Sequence, residues 1–134
     1  EYIMTKKLEI YKCNVCGNIT EVLVPESGTL VCCGEDMELL KPMNHESEKT
    51  VAEKHTPEIE HTDNGTIIRM SNHPMEENHY IVFLRAEDSE NNNVYTKFFY
   101  PNDKVEMVLE GVFNIKNAVS YCNVHGLYEG EINE

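Results

Sequence analysis

The sequence predicts an all-β protein in two parts, a small metal-bound module followed by an antiparallel β-sandwich. Three observations carry that expectation. Four cysteines cluster early in the chain as Cys13-x2-Cys16 and the adjacent pair Cys32-Cys33. Beyond Gly65, short runs rich in Val, Ile, Tyr and Phe recur between polar turns, the pattern of a sandwich. No stretch of helical length carries a convincing helical apolar period. The boundary is expected between residues 40 and 41, with the metal-bound module in 1–40 and the sandwich in 41–134.

In the first part, residues 6–12 alternate roughly with period two and read as a strand leading into the first cysteine pair. Gly17 and Asn18 supply turn chemistry that lets Cys13 and Cys16 converge. A second strand is expected over 19–24. Pro25-Glu26-Ser27-Gly28 reads as a turn, and 29–31 as a third strand that delivers Cys32 and Cys33. Gly34 then helps the backbone bend. Four thiolates so close in sequence make a closed tetrahedral site, and a segment this short lacks the core to fold alone. Ligand count alone suits zinc and iron equally.

Residues 41–53 turn polar and read as a linker, with His45 a solvated loop residue within it. His61 precedes Asp63-Asn64-Gly65, a hairpin signal, and is expected at an exposed strand end. Strands are then expected over 66–70, 80–86, 94–100, 105–109 and 117–122. The turns between them include residues 88–93 and 101–103.

Bulk properties narrow the function. The net charge of −13 disfavours nucleic acid and anionic membranes, whose recognition requires clustered Lys and Arg. No apolar run approaches the length of a membrane span. The first residues are too short and polar for a secretory signal, Met4 is the expected initiator with Glu1–Ile3 added ahead of it, and a cytoplasmic location is expected. With five cysteines, an odd number, and no signal, metal thiolates are a better reading than disulfides.

The fifth cysteine sits in Tyr121-Cys122-Asn123-Val124-His125-Gly126, a thiolate and an imidazole three positions apart. Its expected partners are His55, in Glu53-Lys54-His55, and His73 and His79, in His73-Pro74-Met75-Glu76-Glu77-Asn78-His79. Pro74, followed by Glu76 and Glu77, suits a short loop or helical turn between these two histidines. One sulfur with four ring nitrogens suits iron or copper, exceeds the usual four ligands of structural zinc, and has too many histidines for a blue-copper site. On six-coordinate iron it leaves one open position. A thiolate opposite that position pushes electron density toward whatever binds there. Spacing alone reads Glu53 and Lys54 as surface charges, although a lysine there would offset the repulsive global charge toward an anion.

These motifs resemble the superoxide reductase family in its two-iron form, the desulfoferrodoxins. The resemblance spans nearly the whole chain. The four early cysteines are similar to a desulforedoxin-type domain. Glu-Lys-His, His-Pro-Met-Glu-x-x-His, Cys-Asn-x-His-Gly and Tyr95-Thr96-Lys97-Phe98 are similar to segments of the catalytic domain. The resemblance implies an immunoglobulin-like sandwich and two irons. One iron is held by Cys13, Cys16, Cys32 and Cys33; the other by His55, His73, His79 and His125, with Cys122 axial. It implies one-electron reduction of superoxide to hydrogen peroxide, with Lys54 attracting the anion and assisting protonation, and Glu53 ligating the resting ferric iron. It further implies a homodimer fed by a rubredoxin-like donor. The competing reading is a two-centre iron electron carrier without superoxide chemistry.

Overall fold

The computed structural model describes residues 4–43 and 55–131. By its contacts the chain divides into two compact units, Glu1–Lys41 and Pro42–Glu134. Glu53, Lys54 and His45, and most of the expected linker, lie outside the described residues.

The first unit is built on β1 (Ile10–Lys12), β2 (Ile19–Glu21), β3 (Val31–Cys32), β4 (Glu35–Asp36) and β5 (Glu38–Leu40). β1 lies between β2 and β5 in an antiparallel sheet, and β3 and β4 form a separate hairpin. Strand β1 is shorter than its alternation predicts. Leu8 has φ 71°, a left-handed conformation that no strand tolerates. The backbone from Lys6 to Glu9 instead closes a turn, with Glu9 N–H donating to Lys6 O at 3.2 Å. After β1, Cys13 and Asn18 close a tight knuckle, with Cys13 N–H donating to Asn18 O and Gly17 N–H to Cys13 O, both at 2.9 Å.

The second unit contains β6 (Glu58–Thr62), β7 (Gly65–Arg69), β8 (Ile81–Asp88), β9 (Asn93–Phe98), β10 (Glu106–Glu110), β11 (Asn117–Cys122) and β12 (Gly126–Glu131). They form a three-stranded sheet, β10-β7-β6, and a four-stranded sheet, β12-β11-β8-β9, antiparallel throughout. Period two explains the core between them. Ile68 and Met107 from the first sheet meet Leu84, Ala86, Ala118 and Cys122 from the second, with Met70, Ile81, Phe99, Val105 and Ile115 completing the cluster. The Asp63-Asn64 turn joins β6 to β7 as the hairpin signal predicts. At 88–93 the buried Asp88 carboxylate accepts from Asn91 N–H and Asn91 Nδ2, at 3.3 and 2.8 Å.

One irregularity bears on the site. Tyr121 pairs with Phe83, but the next residue, Cys122, pairs with Ile81, so Val82 is an extra residue in β8. Such a bulge re-aims side chains. It brings Ile81 opposite Cys122, both fully buried, while Phe99 N–H takes the Val82 carbonyl at 2.9 Å.

Candidate metal centres

In the first unit the four Sγ atoms of Cys13, Cys16, Cys32 and Cys33 lie within 4.8 Å of one another. Cys16 and Cys32 are 3.6 Å apart, Cys32 and Cys33 3.9 Å. These separations are far beyond a disulfide bond. They match the edge of a tetrahedron with metal–sulfur bonds of about 2.3 Å, which is roughly 3.8 Å. Adjacent cysteines reach one centre because Cys33 (φ 53°) and Gly34 (φ 76°) form the turn of the β3–β4 hairpin, both left-handed as a two-residue hairpin turn requires. The backbone N–H groups of Cys16 and Val15 hold the Cys13 thiol down at about 6. Hydrogen bonding with Cys13, Cys16 and Cys33 pushes Cys32 up to about 12. Four sulfurs this close do not ionise together without a cation among them, so the donor set fits a metal ion.

The second constellation forms where β11 ends and β8 begins. Cys122 closes β11, His125 sits in the turn to β12, and His79 lies just ahead of β8. His55 leads into β6 and His73 follows β7. Donor atoms of His55, His79, Cys122 and His125 all lie within 4.8 Å of one another. His73 falls outside that tightest set and joins it through His55, with the two Nε2 atoms 2.9 Å apart. Two nitrogens at right angles on one metal, with bonds of about 2.1 Å, would be roughly 3.0 Å apart.

The four imidazoles stand at the corners of a near-square. Centroid distances run 4.5 Å from His55 to His73, 4.8 Å to His79, 5.1 Å to His125 and 4.6 Å back to His55. The His55–His79 diagonal is 6.4 Å. His125 presents Nδ1 to Cys122 Sγ at 3.8 Å.

Two of the rings, His73 and His79, are readied for a cation. His73 Nδ1 donates to Pro74 O at 2.6 Å, which leaves the Nε2 lone pair facing His55. Burial, and then the neighbouring histidines, pull its pKa down to about 4, although the Pro74 contact works the other way. His73 is therefore neutral at physiological pH. His79 Nε2 is buried and has no hydrogen-bond partner among the described residues, a costly state for a polar atom unless something else takes the lone pair. The backbone N–H of His125 donates to Cys122 Sγ at 3.4 Å. This donor set fits an iron ion.

Residues that spacing did not single out hold His55 in place. Ser120 Oγ, fully buried, donates to His55 O at 2.5 Å. Tyr128 stacks on the ring at 4.8 Å and 24°. Gly130 lies so close to Pro57 that a Cβ there would overlap the Pro57 carbonyl oxygen. The loop-or-helix expectation for 73–79 resolves as a tight turn: Glu76 and His79 exchange backbone hydrogen bonds of 2.9 and 3.1 Å across Glu77-Asn78. His61 is exposed as expected, and its Nε2 lies 2.9 Å from Ile115 O.

Residues 47–131 match the family Desulfoferrodoxin, and residues 5–40 match the Desulfoferrodoxin N-terminal domain. The chain belongs to the desulfoferrodoxin family. The desulfoferrodoxin of Syntrophotalea carbinolica is 42% identical over 130 residues, covering 96% of this chain and 99% of its own. The crystal structure of the superoxide reductase from Treponema pallidum has the same fold, with a TM-score of 0.67 over 93% of this chain and 98% of that one, at 16% identity. A substituted form of the superoxide reductase (neelaredoxin) from Ignicoccus hospitalis covers 66% of this chain and 87% of its own, at 26% identity and a TM-score of 0.50. Desulfoferrodoxin architecture thus joins the cysteine cluster to the sandwich with the histidine square. Among the described residues, no helix is long and apolar enough to cross a membrane.

Proposed function

We propose that this desulfoferrodoxin is a superoxide reductase. One electron and two protons convert each superoxide to hydrogen peroxide. The observation that carries the reading is the histidine square with Cys122 beside it, in a fold shared with superoxide reductases. An iron ion held by His55, His73, His79, His125 and Cys122 would supply one-electron redox chemistry and a position open to a small anion. Cys13, Cys16, Cys32 and Cys33 would hold the second iron.

The chain's own residues then have separable tasks. Cys122, its sulfur accepting from the His125 backbone N–H, would be the electron-rich sulfur ligand of the histidine-bound iron. His55 and His73 are buried and exclude water from one side of the site. Lys54 draws the anion in against a background of −13 and passes protons to the departing peroxide. Glu53 would be a further ligand to that iron in the resting protein. Electrons come from a small rubredoxin-like carrier. The protein works in the cytoplasm as a homodimer, binding neither nucleic acid nor membrane. The apolar surface of Leu23, Val24 and Val31, each more than half exposed, supports the homodimer.

Pulse radiolysis tests the activity. With no electron donor, the reduced two-iron protein should consume at most two superoxides per chain, one per reduced iron, and stop, without releasing dioxygen. Sustained consumption with dioxygen release would make it a dismutase. No reaction at all would leave an electron carrier. Lys54→Ala should slow superoxide capture at unchanged iron content; an unchanged rate would remove Lys54 from the scheme.

A further inference from the structure

We propose that the side-chain amide of Asn123 is a positioning residue that fixes His79 relative to Cys122 and His125. The inference rests on the reading of these three as ligands and adds a residue to it. Strand pairing between β11 and β8 ends at Cys122 and Ile81. One step further, Asn123 N–H donates to Tyr80 O at 3.3 Å. The side chain then continues the ladder. Its Oδ1 accepts from Tyr80 N–H at 2.9 Å, and its Nδ2 donates to Asn78 O at 3.1 Å.

A primary amide carries donor and acceptor together. Asn123 therefore behaves as an extra peptide group laid along residues 78–80, and the residue it brackets is His79. On the other side, Asn123 follows Cys122 directly and precedes His125 by two positions. One side chain thus ties the turn carrying the sulfur and one imidazole to the turn carrying another. His79 needs such a tie. Its Nε2 has no hydrogen-bond partner among the described residues, so no contact at that atom orients the ring toward its neighbours. Alanine removes both bonds. Aspartate keeps the size and the acceptor but replaces the Nδ2 donor with an oxygen facing the Asn78 carbonyl.

The test is chelator-driven release of iron from the iron(II)-loaded full chain, using a chelator that absorbs visibly once it binds iron. Two kinetic phases are expected, one per cluster, and Cys122→Ser identifies the second-unit phase by removing it. Asn123→Ala should speed that phase by about 10- to 100-fold, the usual consequence of losing a group that orients a ligand, and leave the cysteine-cluster phase unchanged. Asn123→Asp, which guards against poor folding of the alanine variant, should speed the same phase by a smaller factor. Unchanged release in Asn123→Ala would overturn the proposal, as would equal acceleration of both phases, which marks general loosening. If both phases persist in Cys122→Ser, the ligand reading itself fails and the proposal falls with it.

Discussion

Replacing Ser120 with alanine isolates the contribution of the scaffold that holds His55. The hydroxyl is fully buried, the His55 residue is 2% exposed, and 2.5 Å separates Ser120 Oγ from the His55 carbonyl oxygen. Neither partner can turn to water when the bond is lost. A hydrogen bond in such a place contributes about 1–2 kcal/mol. For a unit the size of residues 42–134, each kcal/mol moves the melting temperature by about 4–8 °C. The metal-free Ser120→Ala chain should therefore melt about 5–15 °C lower by circular dichroism, and the loaded chain should release its second-unit metal faster. Ser120→Cys, with similar size and a weaker donor, should fall between. A melting temperature within about 1 °C of the unaltered chain would refute the reasoning, because it would mean His55 is held without this bond.

Three other outcomes follow from the geometry. Gly130→Ala forces a methyl group into the Pro57 carbonyl; backbone against backbone cannot yield cheaply, so a loss of about 1–3 kcal/mol in urea unfolding is expected, together with weaker metal retention. Gly34→Ala places a side chain at φ 76° and should cost about 1–2 kcal/mol, read as a lower metal affinity of the cysteine cluster alone. Acid should destabilise the metal-free chain through His73, whose folded pKa is about 4 against an ordinary 6.5. Between those values the unfolded chain binds the extra proton, so stability is intact above about 6.5, falls as pH drops through the window, and levels off below it. Urea midpoints at several pH values should show a shallower slope for His73→Gln across that window.

Much of this architecture can be read from residue order, for physical reasons. The core takes residues of one parity from β7, β8, β10 and β11, so period two is written in Ile68, Met107, Leu84, Ala86 and Ala118. β12 escapes such a reading because its alternation is interrupted by Gly126 and Gly130, and Gly130 is there for a close approach, not for strand propensity. β6 is visible only through His61 and the turn after it, since Glu58, Glu60 and His61 face solvent. The left-handed Leu8 contradicts local preference outright and depends on contacts distant in sequence.

The candidate ligands stand out because Cys and His are few and their spacings are short. The residues that hold them do not. Ser120 shares the inward parity of Ala118 and Cys122, and a hydroxyl at a core-facing position is the available signal. Tyr128 and Asn123 give none, because their partners lie on other turns and strands.

Anomalous diffraction at the iron edge, from crystals of the iron-loaded full chain, addresses the central claim most directly. Two peaks are expected, one among Cys13, Cys16, Cys32 and Cys33, and one bounded by His55, His73, His79 and His125 with Cys122 Sγ as the sulfur neighbour. A second peak that is missing, or that lies out of reach of Cys122 Sγ, would contradict the account.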